Sequence, residues 1–216
     1  MISAVAVSAQ VWVGVQASVM NVGLSSPSIP DLQLGNDIGY SLGGLVEVEI
    51  AKDVRLSLQP AYSNFGTMVQ TRRVEEIDGA KTDVYVDTLD LSFSYLSVPL
   101  LMKVANSSGV VHAIAGIQPN LRIASRSDDQ FTGETADLTD KTRSVTLDMI
   151  FGLGVNLSLW SQPIVIDLRY VQGLTEIPTP ETVNNTTIPD GMRMSGFQLC
   201  VSWLLPIVGG EAGGAK

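Results

Sequence analysis

Apolar residues recur at every second position through most of this chain, and no stretch carries a helical period. In the first such segment Val11, Val13, Val15, Ala17 and Val19 alternate with Gln10, Trp12, Gly14, Gln16 and Ser18. The same pattern predicts strands over 37–50, 53–63, about 83–104, 110–124, 144–158, 163–175 and 192–204. With the first segment these make eight strands, an even number. Short links around Lys52, at 105–109 and at 159–162 alternate with long ones at 20–36, about 76–82, 126–143 and 176–191. Short-long alternation through antiparallel strands is an up-and-down meander with one tight end and one elaborated end.

Two local irregularities stand out in the fourth segment. Leu89, Leu91, Phe93 and Tyr95 are odd-numbered, whereas Leu96, Val98, Leu100, Met102 and Val104 are even. One extra residue in a strand switches its parity, so a β-bulge is expected near Tyr95–Leu96. Pro99 cannot donate to a sheet ladder. In a closed wall with no edge it leaves one carbonyl without its donor.

Which solvent the apolar face meets is an argument from size and charge. Of 216 residues only 16% are charged and mean hydropathy is +0.24, against about 25% charged in soluble domains. No run approaches the ~18 apolar residues of a membrane helix. A soluble barrel would turn its other face to water and should carry a mixed, charged surface there. Here that face is mostly Gly, Ser, Thr, Asn and Gln, with four acids (Glu47, Glu49, Asp148, Asp167) balanced by four bases (Arg55, Lys103, Arg122, Arg169). Such a balance suits paired ions in a closed interior. Eight strands enclose only enough room for side chains, and small polar ones fit best. The apolar face is therefore placed in lipid: Val54, Leu56, Leu58, Leu96, Val98, Leu100, Leu147, Phe151, Leu153, Val155, Ile166, Leu168, Phe197, Leu199 and Val201. This is an all-β, eight-stranded antiparallel up-and-down transmembrane barrel with short periplasmic turns and long extracellular loops. Tyr62, Phe93, Tyr170 and Trp203 are rim candidates, and Trp160 belongs to the tight end.

A register follows from parity. Opposed residues share a face, so a three-residue loop centred on Lys52 pairs Glu49 with Arg55 and sets Ile50 against Val54. A cross-strand Glu49–Arg55 ion pair is expected near the periplasmic end.

The runs "YLSVPLLMKV" (Tyr95 to Val104), "IAGIQPNLRIA" with Gly116, "FGLGVNLSL" with Gly152 and Gly154, and "IDLRYVQGLTEI" containing Leu168 to Leu174 come in that order. Together they resemble the small OmpA/OmpX-like outer membrane β-barrel domain of Bacteroidetes-type bacteria, over residues 10 to 205. The resemblance implies this fold and a bacterial outer membrane location, with no catalytic residues and no single function. Members usually end in an aromatic residue. Here Phe197 and Trp203 are followed by further chain. Residues 1–9, ending Val7-Ser8-Ala9, read as a signal-peptide remnant or apolar arm, 10–205 as the barrel, and 206–216 as a flexible tail.

Other chemistry finds little support. Net charge is −9 with no basic stripe, which argues against nucleic acid. A lone cysteine, Cys200, allows no intramolecular disulfide, and it reads as an inert lumen residue. A lone histidine, His112, argues against a catalytic zinc site and reads as a polar residue at the periplasmic rim. Asp128, Asp129, Glu134, Asp137 and Asp140 do not match a calcium loop and read as a solvated acidic loop. Asn184 to Thr187 carries sequons without meaning in this context. No cofactor is expected. The sequence thus points to a non-enzymatic barrel in outer membrane lipid, with a structural or surface-interaction role through its loops. Partner membrane proteins would dock on the loops or the barrel wall. The alternative is a narrow pore or a subunit of a larger secretion or uptake complex. A soluble ligand-binding barrel and an outer-leaflet enzyme are further alternatives, tested by solubility without detergent and by lipid mass.

Overall fold

The computed structural model describes residues 10–25, 32–77, 80–129, 135–137, 145–159, 162–176, 182–183, 186–187 and 192–208. The strands are β1 (Val11–Ser25), β2 (Leu32–Ala51), β3 (Val54–Leu58), β4 (Ala61–Ile77), β5 (Ala80–Ser97), β6 (Leu100–Ala105) and β7 (Val111–Asp129). They continue as β8 (Thr135–Asp137), β9 (Val145–Leu159), β10 (Gln162–Gly173), β11 (Thr182–Val183), β12 (Thr186–Thr187) and β13 (Arg193–Val208). β3 runs on into β4, and β5 into β6, each as one stave. With β1, β2, β7, β9, β10 and β13 they form eight antiparallel staves. β8 pairs with the outer end of β7, and β11 with β12. The last strand reaches Val208, three residues into the stretch expected to be tail. Residues 1–9, 209–216 and Trp160 lie outside the described residues, as do Glu134, Asp140, Asn184 and Asn185.

The wall closes. Paired residues lead from Trp12 to Glu47, Ser57, Leu101, Gly116, Ile150, Val171 and Gly196, and return to the first stave at Val22. Val22 lies ten residues beyond Trp12 on β1, so one circuit climbs ten residues. That stagger tilts the staves and leaves an interior that side chains can fill.

Prolines interrupt three successive seams. Pro60 accepts from the Gly44 amide at 3.0 Å, Pro99 from Gln59 at 3.0 Å, and Pro119 from Val98 at 2.9 Å. None can return the bond, because proline has no N–H. The carbonyls of Gly44, Gln59 and Val98 thus each face a missing ladder donor. β3 and β4 part at the first of these, and β5 and β6 at the second.

The bulge expected at Tyr95–Leu96 lies across the seam instead. Ser94 pairs with Ala124 and Tyr95 with Arg122, which leaves Ile123 of β7 as the extra residue. Stave four never switches parity: Leu91, Phe93, Tyr95, Ser97, Pro99, Leu101 and Lys103 all face inward. The apolar set changed because the interior itself changes from apolar to polar along the stave. Phe93 is accordingly 1% exposed, inside rather than at the rim.

Two further details differ from expectation. Glu49 does stand opposite Arg55, but Ala51 rather than Ile50 faces Val54. Ile50 is the extra residue of a bulge, and Asp53 closes a two-residue turn at φ 63°, a left-handed conformation that Asp tolerates. In place of the link expected at about 76–82, β4 and β5 stay paired out to Ile77 and Ala80. Among the described residues, this hairpin pairs with no other strand from Arg72 to Tyr85. Mutual pairing satisfies the backbone there, so an apolar face is not needed.

Candidate functional site

The interior is layered. Near the tight end, Lys103 Nζ lies 2.7 Å from Glu47 Oε1 and 3.4 Å from Asp167 Oδ2. Arg169 Nη2 donates to Asp167 Oδ2 at 2.6 Å, and His112 Nε2 lies 2.9 Å from Asp167 Oδ1. Arg55 Nη1 reaches Glu47 Oε2 at 3.8 Å, and its guanidinium carbon sits 4.3 Å from the centre of the Trp12 ring. Glu47, Lys103, Asp167, Arg169 and His112 are at most 4% exposed. Buried charges at this depth persist only when paired.

The G-x-G pair of β9 makes room for this cluster. A Cβ on Gly154 would collide with His112 Nε2 and Asp167 Oδ1, and one on Gly152 would meet the Arg169 Cα at 3.1 Å. Trp12, Leu45, Val165 and Leu204 form an apolar patch beside the charges.

Further up, the buried Asp148 accepts from Asn120 Nδ2 at 2.5 Å and from Gln118 Nε2 at 3.4 Å. Asn120 Nδ2 also reaches Thr146 Oγ1 at 3.3 Å. Above this, the lumen toward the long loops is filled by apolar side chains. Phe65 stacks on Tyr95 with centroids 5.4 Å apart and lies 5.7 Å from Phe93. Met20, Val22, Leu91, Met192 and Met194 complete the plug. The interior was expected to be polar throughout, and half of it is not. A barrel closed by side chains needs bulk, and small polar residues alone would leave voids.

The eight balanced charges therefore separate. Glu47, Arg55, Lys103, Asp167 and Arg169 form one network. Asp148 stands apart among amides. Arg122 and Glu49 are half-buried on the inner face, opposite Tyr95 and Arg55 in register. The expected Glu49–Arg55 ion pair gives way to Arg55–Glu47, because Glu47 lies one pleat deeper, where the Trp12 face also receives the guanidinium. His112 is a fully buried partner of Asp167 rather than a rim residue. Its parity, shared with Gln118, Asn120 and Arg122, is the signal that could have found it. Cys200 is buried and faces the lumen beside Asp167 in register.

The outer wall is apolar. Leu56, Leu58, Leu96, Leu100, Phe151, Leu153, Leu168, Phe197, Leu199 and Val201 are exposed, and Val54, Val98, Leu147, Val155 and Ile166 are half-exposed beside them. Aromatic rings mark two levels. Tyr40 packs on Tyr62 at 6.5 Å and Tyr170 on Phe197 at 5.2 Å. Tyr62 donates to Ser94 Oγ at 3.0 Å and Tyr170 to Gln172 Oε1 at 3.2 Å, both toward the long loops. Trp203 Nε1 donates the other way, to Gln162 Oε1 at 3.4 Å. Amphipathic rings aimed outward from an apolar band are the mark of the two membrane interfaces.

A closed eight-staved wall, apolar outside and packed inside, defines a transmembrane β-barrel of the bacterial outer membrane. The chain belongs to the outer membrane protein beta-barrel domain family, whose model matches residues 8–178. The short turns accordingly face the periplasm. Several solved structures are similar to the chain at low identity. Neisserial surface protein A is 14% identical with TM-score 0.47, covering 88% of this chain and 96% of its own. Ail, the attachment invasion locus protein of Yersinia pestis, is 15% identical with TM-score 0.43, covering 90% and 98%. The outer membrane protein AlkL is 13% identical with TM-score 0.49, covering 97% and 96%. No curated protein matches the chain.

Proposed function

We propose that this protein is a closed, non-catalytic outer membrane barrel whose working part is its extracellular end. The filled lumen carries this reading: an ion network below and an aromatic plug above occupy the route a solute would take. The β4–β5 hairpin supports it, because its mutual pairing continues past the last described pairings with the staves on either side. The Nε2 of His112 is held by Asp167, a carboxylate already shared with Lys103 and Arg169. Planar-bilayer recording tests the reading and should show no stable conductance. A steady, porin-sized current would favour the narrow-pore alternative, and stoichiometric membrane proteins copurifying in mild detergent would favour the complex-subunit alternative.

A further inference from the structure

A small basin lies on the periplasmic side of the ion network. Asp53, Arg55, Lys103, Ala105, His112 and Asn156 line it, and its free volume is about 10 Å³. That is roughly the space one water molecule needs. Ala105 and His112 stand opposite each other across the β6–β7 seam, so they share the inner face. His112 is 2% exposed, and its Nε2 lies 2.9 Å from Asp167 Oδ1. Its Nδ1 is buried and, among the described residues, has no hydrogen-bond partner. A buried polar atom left unpaired costs free energy. With the ring proton on Nε2, facing Asp167, Nδ1 is an acceptor.

The fixed charges around this ring do not balance. Asp167 and Arg169 come from β10, Lys103 from β6, Asp53 and Arg55 from β3 and the turn before it, and Glu47 and Glu49 from β2. Four acids thus stand with three permanent cations. Lys52, in the same turn as Asp53, is exposed to water. From the other elements, Asn156 of β9 is uncharged and Cys200 of β13 stands beside Asp167 in register. Surplus charge in a poorly hydrated interior is costly. Histidine is the side chain that gains a positive charge near neutral pH, and His112 already touches one of the acids.

We propose that the periplasmic mouth is a proton-operated switch: the basin holds one water against His112 Nδ1, and His112 takes up a proton through it when the periplasm acidifies. In the neutral state Nε2–H donates to Asp167 and Nδ1 accepts from the water. In the charged state both ring nitrogens donate, the new N–H proton having come from the periplasmic water. The mouth then carries four charges of each sign. It differs by one unit of charge between an acidic and a neutral periplasm, on the side of the barrel opposite the long loops.

The chain has a single histidine, so the full chain with isotope-labelled histidine gives one imidazole to follow by NMR in detergent micelles. At about pH 8 the ring nitrogens should report the neutral Nε2–H tautomer, and at about pH 5 a doubly protonated ring, reversibly. Asp53→Asn keeps the turn, because Asn also tolerates its left-handed conformation, and removes one acid. It should move the titration to lower pH. Ala105→Leu fills the basin and should hold the ring neutral across the same interval. Heat-modified gel mobility will report which variants fold. A wild-type ring that keeps one charge state from about pH 8 to about pH 5 would overturn the switch. So would an unchanged titration in either folded variant.

Discussion

Lys103 Nζ lies 2.7 Å from Glu47 Oε1, although their staves are not neighbours and β3 runs between them. On that stave Glu47 stands opposite Ser57, which is fully buried, and Lys103 opposite Arg55. Replacing Lys103 with Met would leave Glu47 buried, with Arg55 at 3.8 Å as its one remaining ion-pair partner among the described residues. Breaking such a pair from one side costs about 3–5 kcal/mol. The double change Lys103→Met with Glu47→Gln should cost clearly less. Equilibrium urea unfolding in detergent micelles measures both, and equal losses would mean that the pair is not coupled.

Gly154→Ala is expected to destabilise by about 1–3 kcal/mol, the usual range for overpacking. The new methyl would displace His112 or Asp167. Combining it with His112→Ala should recover part of the loss. The temperature at which the folded band disappears on unboiled gels is a sufficient readout.

Leu153 is 64% exposed and sits in an outward row with Leu168 and Leu199. Leu153→Arg should cost about 2–4 kcal/mol if the row lies near the bilayer midplane. Insertion into vesicles as efficient as the parent's would show that this face does not meet hydrocarbon.

The one-armed rungs at Pro60, Pro99 and Pro119 put three weakened seams side by side. The β1–β13 and β10–β13 seams have no such gaps across their shared core. Amides next to the prolines, such as Gly44 and Gln59, should exchange hydrogen faster than those around Leu199. Pro60→Ala restores a donor opposite Gly44, and the added hydrogen bond is worth about 0.5–1.5 kcal/mol. Uniform protection around the wall would refute the weakness.

Most of the architecture was legible because alternation is a local property. Val11 to Val19 and Leu96 to Val104 declare their faces without reference to anything distant. The absence of charge on those faces identifies the solvent. The pairing of Glu49 with Arg55 also followed, since parity admits few registers across a tight turn. Tyr95 and Phe93 mark where this reasoning stopped. Their stave shows a switch in its apolar set, and sequence cannot distinguish a change of face from a change in what one face meets.

The sequence by itself determined the eight antiparallel staves, their two alternating faces and the membrane class, because each rests on a period of two and on composition. Only the tertiary structure decided the contents of the lumen. Glu47 meets Lys103, and His112 meets Asp167, through a stagger of ten residues around the closed wall. That stagger sums the registers of every seam, including the Ile123 bulge, so no single segment encodes which side chains share a level.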